Sequence, residues 1–482
     1  MNRELRRVSL LVVLMFVALF ASSSVIQVFQ QADLKADGRN ARVLYASFDT
    51  QRGPILVDGE AVAYSQPVDS RYNYQRVYPY GELYSAVTGF FTVLPSTGGL
   101  EHELNSYLSG DSDAQFLSRL NAILTGQDPQ GSAVELTIDP VVQQAAWDAL
   151  GDERGAVVAL DPKTGAILAL VSKPTYDPNA LAVLDPNAVE STYEELDASP
   201  DDVLVDRAIA GDLNPPGSVF KLVVTATALE SGQYTPESEF PNPPRLDLPG
   251  TTTPISNSAD GTCGGGETAS IATALRLSCN VTFAQLAGAL GQKAIREQAQ
   301  EFGFGQQLGI PMRVEPSVYP EIPGNDEAQV WLTGFGQANV RTSPLQMAMV
   351  SAAIANGGVL MQPTVVESIV APDLSVLQEF EPQVFSTPIK PETASTMTQM
   401  MVQGVANGVA NNARIDGVEV AGKTGTAENG PGEPYTLWFT GFAPANDPRV
   451  AVAVVIEDRA TGFGNLIAAP IAKKVMEAVV NR

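Results

Sequence analysis

The hydrophobic pattern of the chain begins with one long apolar run close to the N-terminus. Residues 8–26 read VSLLVVLMFVALFASSSVI and carry no charge, and three arginines and one glutamate precede them. A run of this length is enough to cross the hydrocarbon core of a bilayer. Because basic flanks stay on the cytoplasmic side, we predict a cytoplasmic tail over residues 1–7 and a transmembrane anchor over residues 8–28. The rest of the chain is then expected on the extracytoplasmic side of the plasma membrane, held by a single span.

A cleaved signal peptide is the alternative to this anchor. The small residues Ala21-Ser22-Ser23 would suit a cleavage site. The apolar run is, however, longer than the roughly 7–15 residues of a signal-peptide core, which favours the uncleaved anchor.

Short apolar runs separated by turn residues follow in residues 29–150, which is typical of a strand-rich domain. Asp58-Gly59 is a hairpin turn signal, and it lies between the apolar runs Ile55–Val57 and Ala61–Ala63. Another strand is predicted at Ala41–Ala46. The region contains no pairing of a nucleophile with a base, so we interpret it as a non-catalytic domain.

The segment Glu101–Asn105 in this region reads E-H-E-L-N and contains His102, the only histidine of the chain. A zinc protease would need the motif H-E-x-x-H, with a second histidine. We therefore expect no metal site, and we interpret the segment as the solvated end of a helix.

Longer apolar runs and amphipathic segments alternate from residue 151 to residue 482. Strands at both ends of this region with helices between them predict an α+β domain, in which helices pack on the faces of an antiparallel sheet. The Pro- and Asp-rich segment 174–206 is predicted to be an irregular excursion on the surface. The predicted strands are 155–160, 166–171, 418–422, 436–442 and 450–456. The predicted helices are 218–230, 267–290, 343–356 and 470–481.

Composition narrows the possible function classes. The chain has 482 residues, more than one ordinary core holds, which predicts at least two domains. Its net charge is -25, from 29 basic and 54 acidic residues. A nucleic-acid partner would need a basic patch, so none is expected, and we interpret the acidity as a soluble, self-repelling surface.

The most informative polar pattern is the stretch Asn214–Leu222, which reads N-P-P-G-S-V-F-K-L. It places Ser218 three residues before Lys221, so that on a helix both side chains lie on one face. A serine hydroxyl needs a neighbouring base to act as a nucleophile, and here the base would be a lysine. Two prolines and a glycine before the serine predict that it lies at a helix N-terminus, where backbone N–H groups point at a ligand.

Two further motifs follow in chain order, Ser278–Asn280 and Lys423–Thr426. With the S-x-x-K motif they form the set found in class A β-lactamases and penicillin-binding proteins. A competing Lys-Thr-Gly at Lys163 precedes the serine and lies in a predicted hairpin turn, so we interpret Lys163 as structural. Three motifs in the right order are a much stronger signal than any one of them alone.

On these motifs the chain resembles a class B penicillin-binding protein, a membrane-anchored peptidoglycan D,D-transpeptidase, and within that family the penicillin-binding protein A group of actinobacteria. The resemblance implies an N-terminal non-catalytic domain of the pedestal or dimerisation type over residues 29–150. It also implies a transpeptidase domain with a serine β-lactamase-like fold over residues 151–482. The family's second motif often has another middle residue where this chain has Cys279. Less specific similarities extend the resemblance over almost the whole chain, at Arg52–Ile55, Gly99–Glu101, Leu136–Asp139, Gly155–Asp161 and Phe439–Pro444.

The resemblance also implies a role for each motif residue. Ser218 attacks the carbonyl between the two terminal D-alanines of a stem peptide, and a neutral Lys221 takes its proton. Ser278 passes a proton to the leaving amine, and Asn280 holds Lys221 and the substrate amide by hydrogen bonds. Burial and the nearby charge of Lys423 are expected to lower the pKa of Lys221.

The third motif is expected to bind the substrate. Lys423, Thr424 and Thr426 hold the free carboxylate of its terminal residue. Gly425 lets the peptide lie against the strand edge by main-chain pairing. The N–H groups of Ser218 and Thr426 are expected to form the oxyanion hole.

The resemblance names partners as well. The acyl-enzyme is resolved by an amine from a neighbouring stem peptide, which cross-links the cell wall during division or elongation. β-Lactam antibiotics are expected to acylate the same serine and to remain bound. A class B protein has no glycosyltransferase domain of its own, so a membrane glycosyltransferase of the SEDS type is expected as partner. No cofactor is expected.

Cys263 and Cys279 are the only cysteines of the chain. The exported side of a membrane permits disulfides, and this one would close a loop of about 16 residues for a stabilisation of roughly 3 kcal/mol. It would hold the residue between Ser278 and Asn280. The alternative is a pair of reduced, buried thiols.

Simpler interpretations stand beside several of these assignments. Ser278 could cap a helix, Asn280 could be a turn residue, and Thr424 could be an ordinary strand threonine. Trp438 and Phe439 are interpreted as core residues rather than as part of the chemistry.

Three other functions share part of the motif pattern. A serine β-lactamase carries E-x-x-L-N after its second motif, whereas this chain has that sequence at Glu101–Asn105, before Ser218 and in another domain. A D,D-carboxypeptidase would use water in place of the acceptor amine. A β-lactam sensor or an idle scaffold would keep the motifs without turnover, but a sensor would couple to cytoplasmic machinery, and only residues 1–7 precede the anchor.

Overall fold

The computed structural model describes residues 2–26, 30, 48–94, 97–115, 128, 130–211, 213–257, 261–430 and 432–482. Its first element is the helix α1, Asn2–Ser24, in which Leu5–Ser24 is long and apolar enough to cross a membrane, with a mean hydropathy of 2.0. The large apolar side chains of this helix are exposed, so none of the cores formed by the described residues covers them. The predicted strand at 41–46 lies outside the described residues.

The other elements form an α+β architecture around two larger sheets. In chain order, the described strands are β1 (Ile55–Val57), β2 (Glu60–Pro67), β3 (Tyr74–Val77), β4 (Ala133–Leu136), β5 (Gly155–Leu160), β6 (Ile167–Lys173), β7 (Glu239–Pro241), β8 (Arg245–Asp247), β9 (Pro254–Ser256), β10 (Thr268–Ser270), β11 (Leu360–Met361), β12 (Val366–Val370), β13 (Val376–Glu379), β14 (Val384–Ser386), β15 (Ala421–Ala427), β16 (Tyr435–Ala443) and β17 (Val450–Arg459). The described α-helices after α1 are α2 (Ser85–Thr88), α3 (Gly99–Glu103), α4 (Asn105–Leu108), α5 (Pro140–Leu150), α6 (Pro186–Asp197), α7 (Lys221–Glu230), α8 (Ile271–Leu277), α9 (Asn280–Glu301), α10 (Glu327–Thr333), α11 (Pro344–Ala355), α12 (Pro391–Ala406) and α13 (Ala468–Val480).

A five-stranded antiparallel sheet, in the order β15-β16-β17-β5-β6, is the centre of the C-terminal region. It is buried on both faces, which explains the continuously apolar runs of β5 and of the first seven residues of β17. Successive side chains of a strand face opposite sides. Val157 and Ala159 therefore pack with α5 and α13 on one face, whereas Ala156 and Val158 pack with α7, α9 and α11 on the other. The predicted antiparallel sheet with helices on both faces is confirmed.

A second sheet of six strands, in the order β13-β12-β4-β1-β2-β3, lies in the N-terminal region. The predicted Asp58-Gly59 hairpin joins β1 to β2, and its two residues have the positive φ values (51° and 75°) that a tight two-residue turn requires. Strands β12 and β13 come from much later in the chain, and β12 pairs antiparallel with β4. The C-terminal part of the chain thus completes the N-terminal sheet, and the domain boundary at residue 150 remains a prediction.

Two local predictions need correction. The segment 174–206, predicted to be irregular, contains the helix α6, which begins after the capping residue Asp185 with Pro186 at its first position. The strand predicted over 418–422 begins only at Ala421, because a tight turn immediately precedes it.

The helix predicted over 267–290 is interrupted. Ser278 adopts a left-handed conformation, with φ 62° and ψ 38°, and ends α8, while α9 begins two residues later. The apolar periodicity does not reveal this break, because both helices continue the same pattern of buried alanines and leucines.

The prediction of a solvated helix end at Glu101–Asn105 is wrong for Glu101, whose side chain is fully buried. Its carboxylate lies between two buried arginines, 2.6 Å from Arg52 Nε and 2.6 Å from Arg76 Nε. Arg52 also donates a hydrogen bond to Asn105 Oδ1. The local sequence could not show this burial, because both arginines come from other segments.

Candidate active site

Ser218 lies at the start of a short 3-10 turn, Gly217–Phe220, that runs directly into α7. The chain can enter this turn because Gly217 has φ 53°, a conformation that glycine adopts without steric cost. Only 8% of the surface of Ser218 is exposed. The predicted helix start at the serine is confirmed.

Two long-range hydrogen bonds hold the loop before the serine. Trp438 Nε1 donates to the Pro215 carbonyl at 3.0 Å, and Asn214 Nδ2 donates to Glu457 Oε1 at 2.7 Å. Trp438 and its neighbour Phe439 are fully buried, so their predicted place in the core is confirmed. Strands β16 and β17 thereby fix the position of the loop that carries the serine.

Lys221 is fully buried, one helical turn after the serine. Its Nζ donates to the Ser278 carbonyl at 2.8 Å and to Asn280 Oδ1 at 2.9 Å, and it lies 3.5 Å from Ser278 Oγ. Burial lowers the pKa of Lys221 well below its ordinary value, and the nearby charge of Lys423 lowers that pKa further. Within the described residues no carboxylate forms an ion pair with this amine, so only neutral oxygen acceptors oppose the effect of burial on its pKa.

Ser278 lies between the two lysines. Its carbonyl accepts the hydrogen bond from Lys221, and its hydroxyl accepts one from Lys423 Nζ at 2.7 Å. Its carbonyl is available because the left-handed backbone ends α8, whereas in a continuing helix a residue four positions later would occupy it. A serine in this conformation costs about 1–3 kcal/mol and persists only where its surroundings hold it.

A disulfide between Cys263 and Cys279, with their Cα atoms 5.9 Å apart, supplies part of that restraint. The predicted pairing is therefore present in the structure. The Cys263 N–H donates to Asn242 Oδ1 at 2.8 Å, and Asn242 Nδ2 donates back to the Cys263 carbonyl at 2.9 Å. The loop that carries Cys263 thus braces the residue between Ser278 and Asn280.

The position of Asn280, the first residue of α9, depends on a residue that sequence reasoning missed. Asn257 Oδ1 accepts from the N–H groups of Asn280 at 2.9 Å and of Val281 at 3.1 Å, so it caps α9 from a separate loop. Asn280 Nδ2 donates to the Ser256 carbonyl at 3.1 Å, which leaves its Oδ1 for the buried amine. No motif marks Asn257, because its role exists only once this loop packs against the helix.

Lys423 lies on the edge strand β15 and is also buried. Besides its bond to Ser278 Oγ, its Nζ donates to the Thr424 carbonyl at 2.7 Å. Burial lowers the pKa of Lys423 to about 7. Two amines with lowered pKa values are therefore connected through Ser278.

The competing motif at Lys163 lies elsewhere, in the turn between β5 and β6. Its side chain is exposed and forms an ion pair with Asp447 at 2.7 Å. Gly165 in the same turn has φ 83°. The structural interpretation of Lys163 is confirmed.

A cavity of about 840 Å³ opens at Ser218. Asn280 and Thr426 line it together with the serine, and Thr426 Oγ1 accepts a hydrogen bond from the Gly464 N–H at 3.3 Å. Thr424 is buried and does not line the cavity. Apolar side chains form much of the remaining wall: Leu248, Ile255, Leu332, Phe335 and Phe463.

Gly425 packs against the loop that carries the serine. A Cβ atom at this position would lie 3.0 Å from the Pro216 carbonyl oxygen and 3.0 Å from Trp438 Cβ, closer than ordinary contacts allow. A glycine therefore lets β15 approach the loop. Its expected part in main-chain pairing with the substrate stays a prediction.

Two parts of the chain match known protein domain families. Residues 155–477 match the penicillin binding protein transpeptidase domain, and residues 52–134 match the penicillin binding protein A dimerisation domain. The chain belongs to the penicillin-binding protein transpeptidase family. The resemblance seen in the motifs is thereby confirmed, and the same family covers the N-terminal sheet.

Relatives of this penicillin-binding protein are similar over the full chain. Peptidoglycan D,D-transpeptidase PbpA of Mycolicibacterium smegmatis is 41% identical, over 100% of this chain and 99% of the relative. The protein of the same name from Mycobacterium tuberculosis is 40% identical over the same shares. The crystal structure of PBPA from M. tuberculosis superposes with a TM-score of 0.86 at 38% identity, covering 90% of this chain and 100% of that one. The penicillin G acyl-enzyme complex of that protein gives 0.84 at 39% identity, covering 89% and 99%.

In this penicillin-binding protein, the structure brings the catalytic candidates of all three motifs to one place. Thr426 joins them at the cavity, and Gly425 supports the loop from behind. The supporting residues that sequence reasoning missed carry no motif signal: Asn242, Asn257 and Glu457. Asn214 begins the stretch that carries the serine, but the sequence does not reveal its bond to Glu457.

Proposed function

We propose that this chain is a peptidoglycan D,D-transpeptidase, which cross-links stem peptides through an acyl-enzyme on Ser218 and which β-lactams inactivate at the same serine. The observation that carries the proposal is a pair of buried amines, Lys221 and Lys423, that both reach the Ser278 hydroxyl. Lys221 lies one helical turn after the nucleophile Ser218. The relatives support it, since both are named peptidoglycan D,D-transpeptidases and one forms an acyl-enzyme with penicillin G.

In the first half of the reaction, Ser218 Oγ attacks the carbonyl of the terminal D-Ala-D-Ala bond while the neutral amine of Lys221 takes its proton. A C–O bond forms, the peptide C–N bond breaks, and a proton reaches the leaving D-alanine nitrogen through the Ser278 hydroxyl. Burial lowers the pKa of Lys221, which favours the neutral amine that this step requires. Asn280 holds that amine in place at 2.9 Å.

Lys423 and Thr426 bind the substrate carboxylate in this proposal, and the buried Thr424 supports them through its carbonyl, which accepts from Lys423 Nζ at 2.7 Å. An arriving carboxylate raises the pKa of Lys423 from about 7, so the amine is charged when substrate is bound. Without substrate, and above pH 7, the amine is largely neutral. The N–H groups of Ser218 and Thr426 stabilise the developing oxyanion, and each such donor contributes about 3–4 kcal/mol.

We further propose the membrane arrangement and the partner. Residues 8–28 anchor the chain, residues 1–7 lie in the cytoplasm, and the non-catalytic region 29–150 and the transpeptidase region 151–482 lie outside. The exposed apolar surface of α1 supports the anchor. A membrane glycosyltransferase of the SEDS type would supply the glycan strands that this chain then cross-links.

Intact-mass measurement after treatment with penicillin tests the proposed function. The wild-type chain is expected to gain the mass of one penicillin, and Ser218→Ala is expected to gain none. Ser191→Ala, on an exposed face of α6, is the matched control and keeps the label. Labelling that persists in Ser218→Ala overturns the assignment, and rapid release of hydrolysed penicillin from the wild type would indicate a β-lactamase instead.

A further inference from the structure

The cavity at Ser218 is one of two neighbouring cavities. The second has a volume of about 600 Å³, and Pro215 and Arg341 line it but not the first. Gln337, Ala338 and Glu428 line both cavities, so they form a shared wall. We call the two the serine lobe and the polar lobe of one cleft.

The shared wall is held in place from both sides. Gln337 joins the two segments that form the wall. Its amide oxygen accepts from the Glu428 N–H at 3.2 Å, and its amide nitrogen donates to the Glu428 carbonyl at 3.3 Å. Asn429 Nδ2 donates to the Pro434 carbonyl at 2.7 Å and so fixes the loop after Glu428. Ala338 keeps a left-handed φ of 59°, a conformation that a non-glycine residue retains only when its surroundings hold it.

Arg341 is fixed in the same way on the far side of the polar lobe. Its backbone forms two hydrogen bonds with Val318, at 2.8 and 2.9 Å, and its Nη1 donates to the carbonyls of Ala338 and Val340. The guanidinium is thus positioned before any ligand arrives, which reduces the entropy that binding costs.

The polar lobe carries one charge of each sign, and neither is neutralised. Among the described residues, Arg341 has no carboxylate within ion-pair distance, and Glu428 is exposed and has no cationic partner. The serine lobe shares Glu428 but not Arg341, and five large apolar side chains line it. A ligand that satisfies the polar lobe therefore carries both a carboxylate and an ammonium group.

We infer that the polar lobe is the subsite of the acceptor stem peptide, with Arg341 binding a carboxylate of the acceptor and Glu428 attracting its ammonium group. This inference rests on the proposed transpeptidase function, which requires a second substrate beside the acyl-enzyme. The acyl group occupies the serine lobe, and the shared wall brings the acceptor to the same serine.

The chemistry of the second half-reaction balances with these positions. The acceptor ammonium first releases one proton to water and becomes a neutral amine. Its nitrogen then forms an amide bond with the acyl carbon, the ester bond to Ser218 Oγ breaks, and a second proton from the nitrogen returns to that oxygen. Arg341 and Glu428 act here as specificity residues, since they hold the acceptor and take no proton.

Acceptor selectivity of the full-length chain in detergent tests the inference. The donor is an acyl-D-alanyl thioester, and the acceptors are 6-aminohexanoate, with a carboxylate, and 6-aminohexanamide, without one. Neither is an α-amino acid like the leaving D-alanine, whose carboxylate the proposed function assigns to Lys423 and Thr426. The readout is the ratio of aminolysis to hydrolysis products by mass spectrometry. We expect the wild type to prefer 6-aminohexanoate by about tenfold, the effect of one charged hydrogen bond.

Arg341→Gln is expected to abolish this preference, and Arg341→Lys to restore part of it because it retains the charge. Glu428→Gln is expected to lower aminolysis with both acceptors, since both carry the ammonium group. The Glu428 side chain is exposed, so this substitution is expected to leave the fold intact. Lys293→Gln, at an exposed position of α9, removes one positive charge, as Arg341→Gln does, and is expected to leave the product ratios unchanged.

Penicillin acylation separates this inference from the proposed function, because it needs no acceptor and Arg341 does not line the serine lobe. The Arg341 and Lys293 variants are expected to be acylated at rates within about twofold of the wild type. An acceptor preference that survives Arg341→Gln, or a loss of acylation that accompanies the loss of preference, overturns the acceptor subsite. Failure of the wild-type chain to form any acyl-enzyme would instead overturn the proposed function.

Discussion

The N-terminal and C-terminal regions each bury a group of charged side chains, and the two groups are built in opposite ways. In the first, Glu101 lies 2.6 Å from Arg52 and 2.6 Å from Arg76, and all three are almost fully buried. In the second, Lys221 and Lys423 are as deeply buried, but they donate only to carbonyl, amide and hydroxyl oxygens.

This difference in partners decides the charge of each group. Burial alone raises the pKa of Glu101, but the two arginines overcome that effect and hold the pKa below its ordinary value. For Lys221 and Lys423 burial acts without an opposing carboxylate, so both pKa values fall. A buried cluster with compensating charges therefore stays ionised and supports the fold, whereas an uncompensated one supplies a neutral base.

Replacing the base is expected to have the largest effect. Lys221→Met should slow acylation by penicillin about 10³-fold, because the serine loses the group that takes its proton. The free energy of unfolding should change little, since the lost hydrogen bonds and the relief from burying an amine oppose each other. Stopped-flow acylation and urea unfolding measure both, with the exposed Lys293→Met as control. Acylation within tenfold of the wild type would contradict the assigned base.

Removing the compensating carboxylate comes next. Glu101→Gln leaves two buried guanidinium groups facing a neutral amide, and breaking a buried ion pair in this way costs about 3–5 kcal/mol. Urea unfolding should show that loss, while the remaining folded chain should acylate at the normal rate. Glu103→Gln is the exposed control in the same helix. A loss below about 1 kcal/mol would mean that the cluster does not support the fold.

The pH dependence of stability should separate the two groups, with the smallest effect per measured step because it accumulates over several pH units. Lys423 gives up its proton at about pH 7 when folded and near 10.5 when unfolded, so the unfolded chain binds more protons between these values. Stability should therefore rise from pH 7 to 10.5, by at most about 1.4 kcal/mol per pH unit for this proton. The contribution of Glu101 is present above its unfolded pKa near 4.5 and is lost below it, as pH falls through the lower folded value.

Thermal unfolding across the pH range, compared between variants, measures these slopes. Lys423→Met should flatten the alkaline part of the profile and leave the acid part unchanged. Glu101→Gln should do the reverse. If either variant altered both parts equally, the two groups would not be independent.

Much of the fold and the site could be predicted from local patterns. The runs that become β5 and β17 are continuously apolar because both faces of their sheet are buried, and the Asp58-Gly59 turn needs only its own two residues. The break at Ser278 could not be predicted in this way, since the periodicity on either side is helical. The burial of Glu101 was missed because its partners are distant in sequence.

The sequence by itself determined the chemical groups and their order: a serine three residues before a lysine, two later motifs, an apolar N-terminal run and a single pair of cysteines. Tertiary structure decided what those groups can do. Lys221 has a lowered pKa only because segments around Ser278 and Lys423 enclose it, and Asn257 matters only because its loop packs on α9. Electrostatic effects depend on burial and on distances between segments, and a linear pattern contains neither.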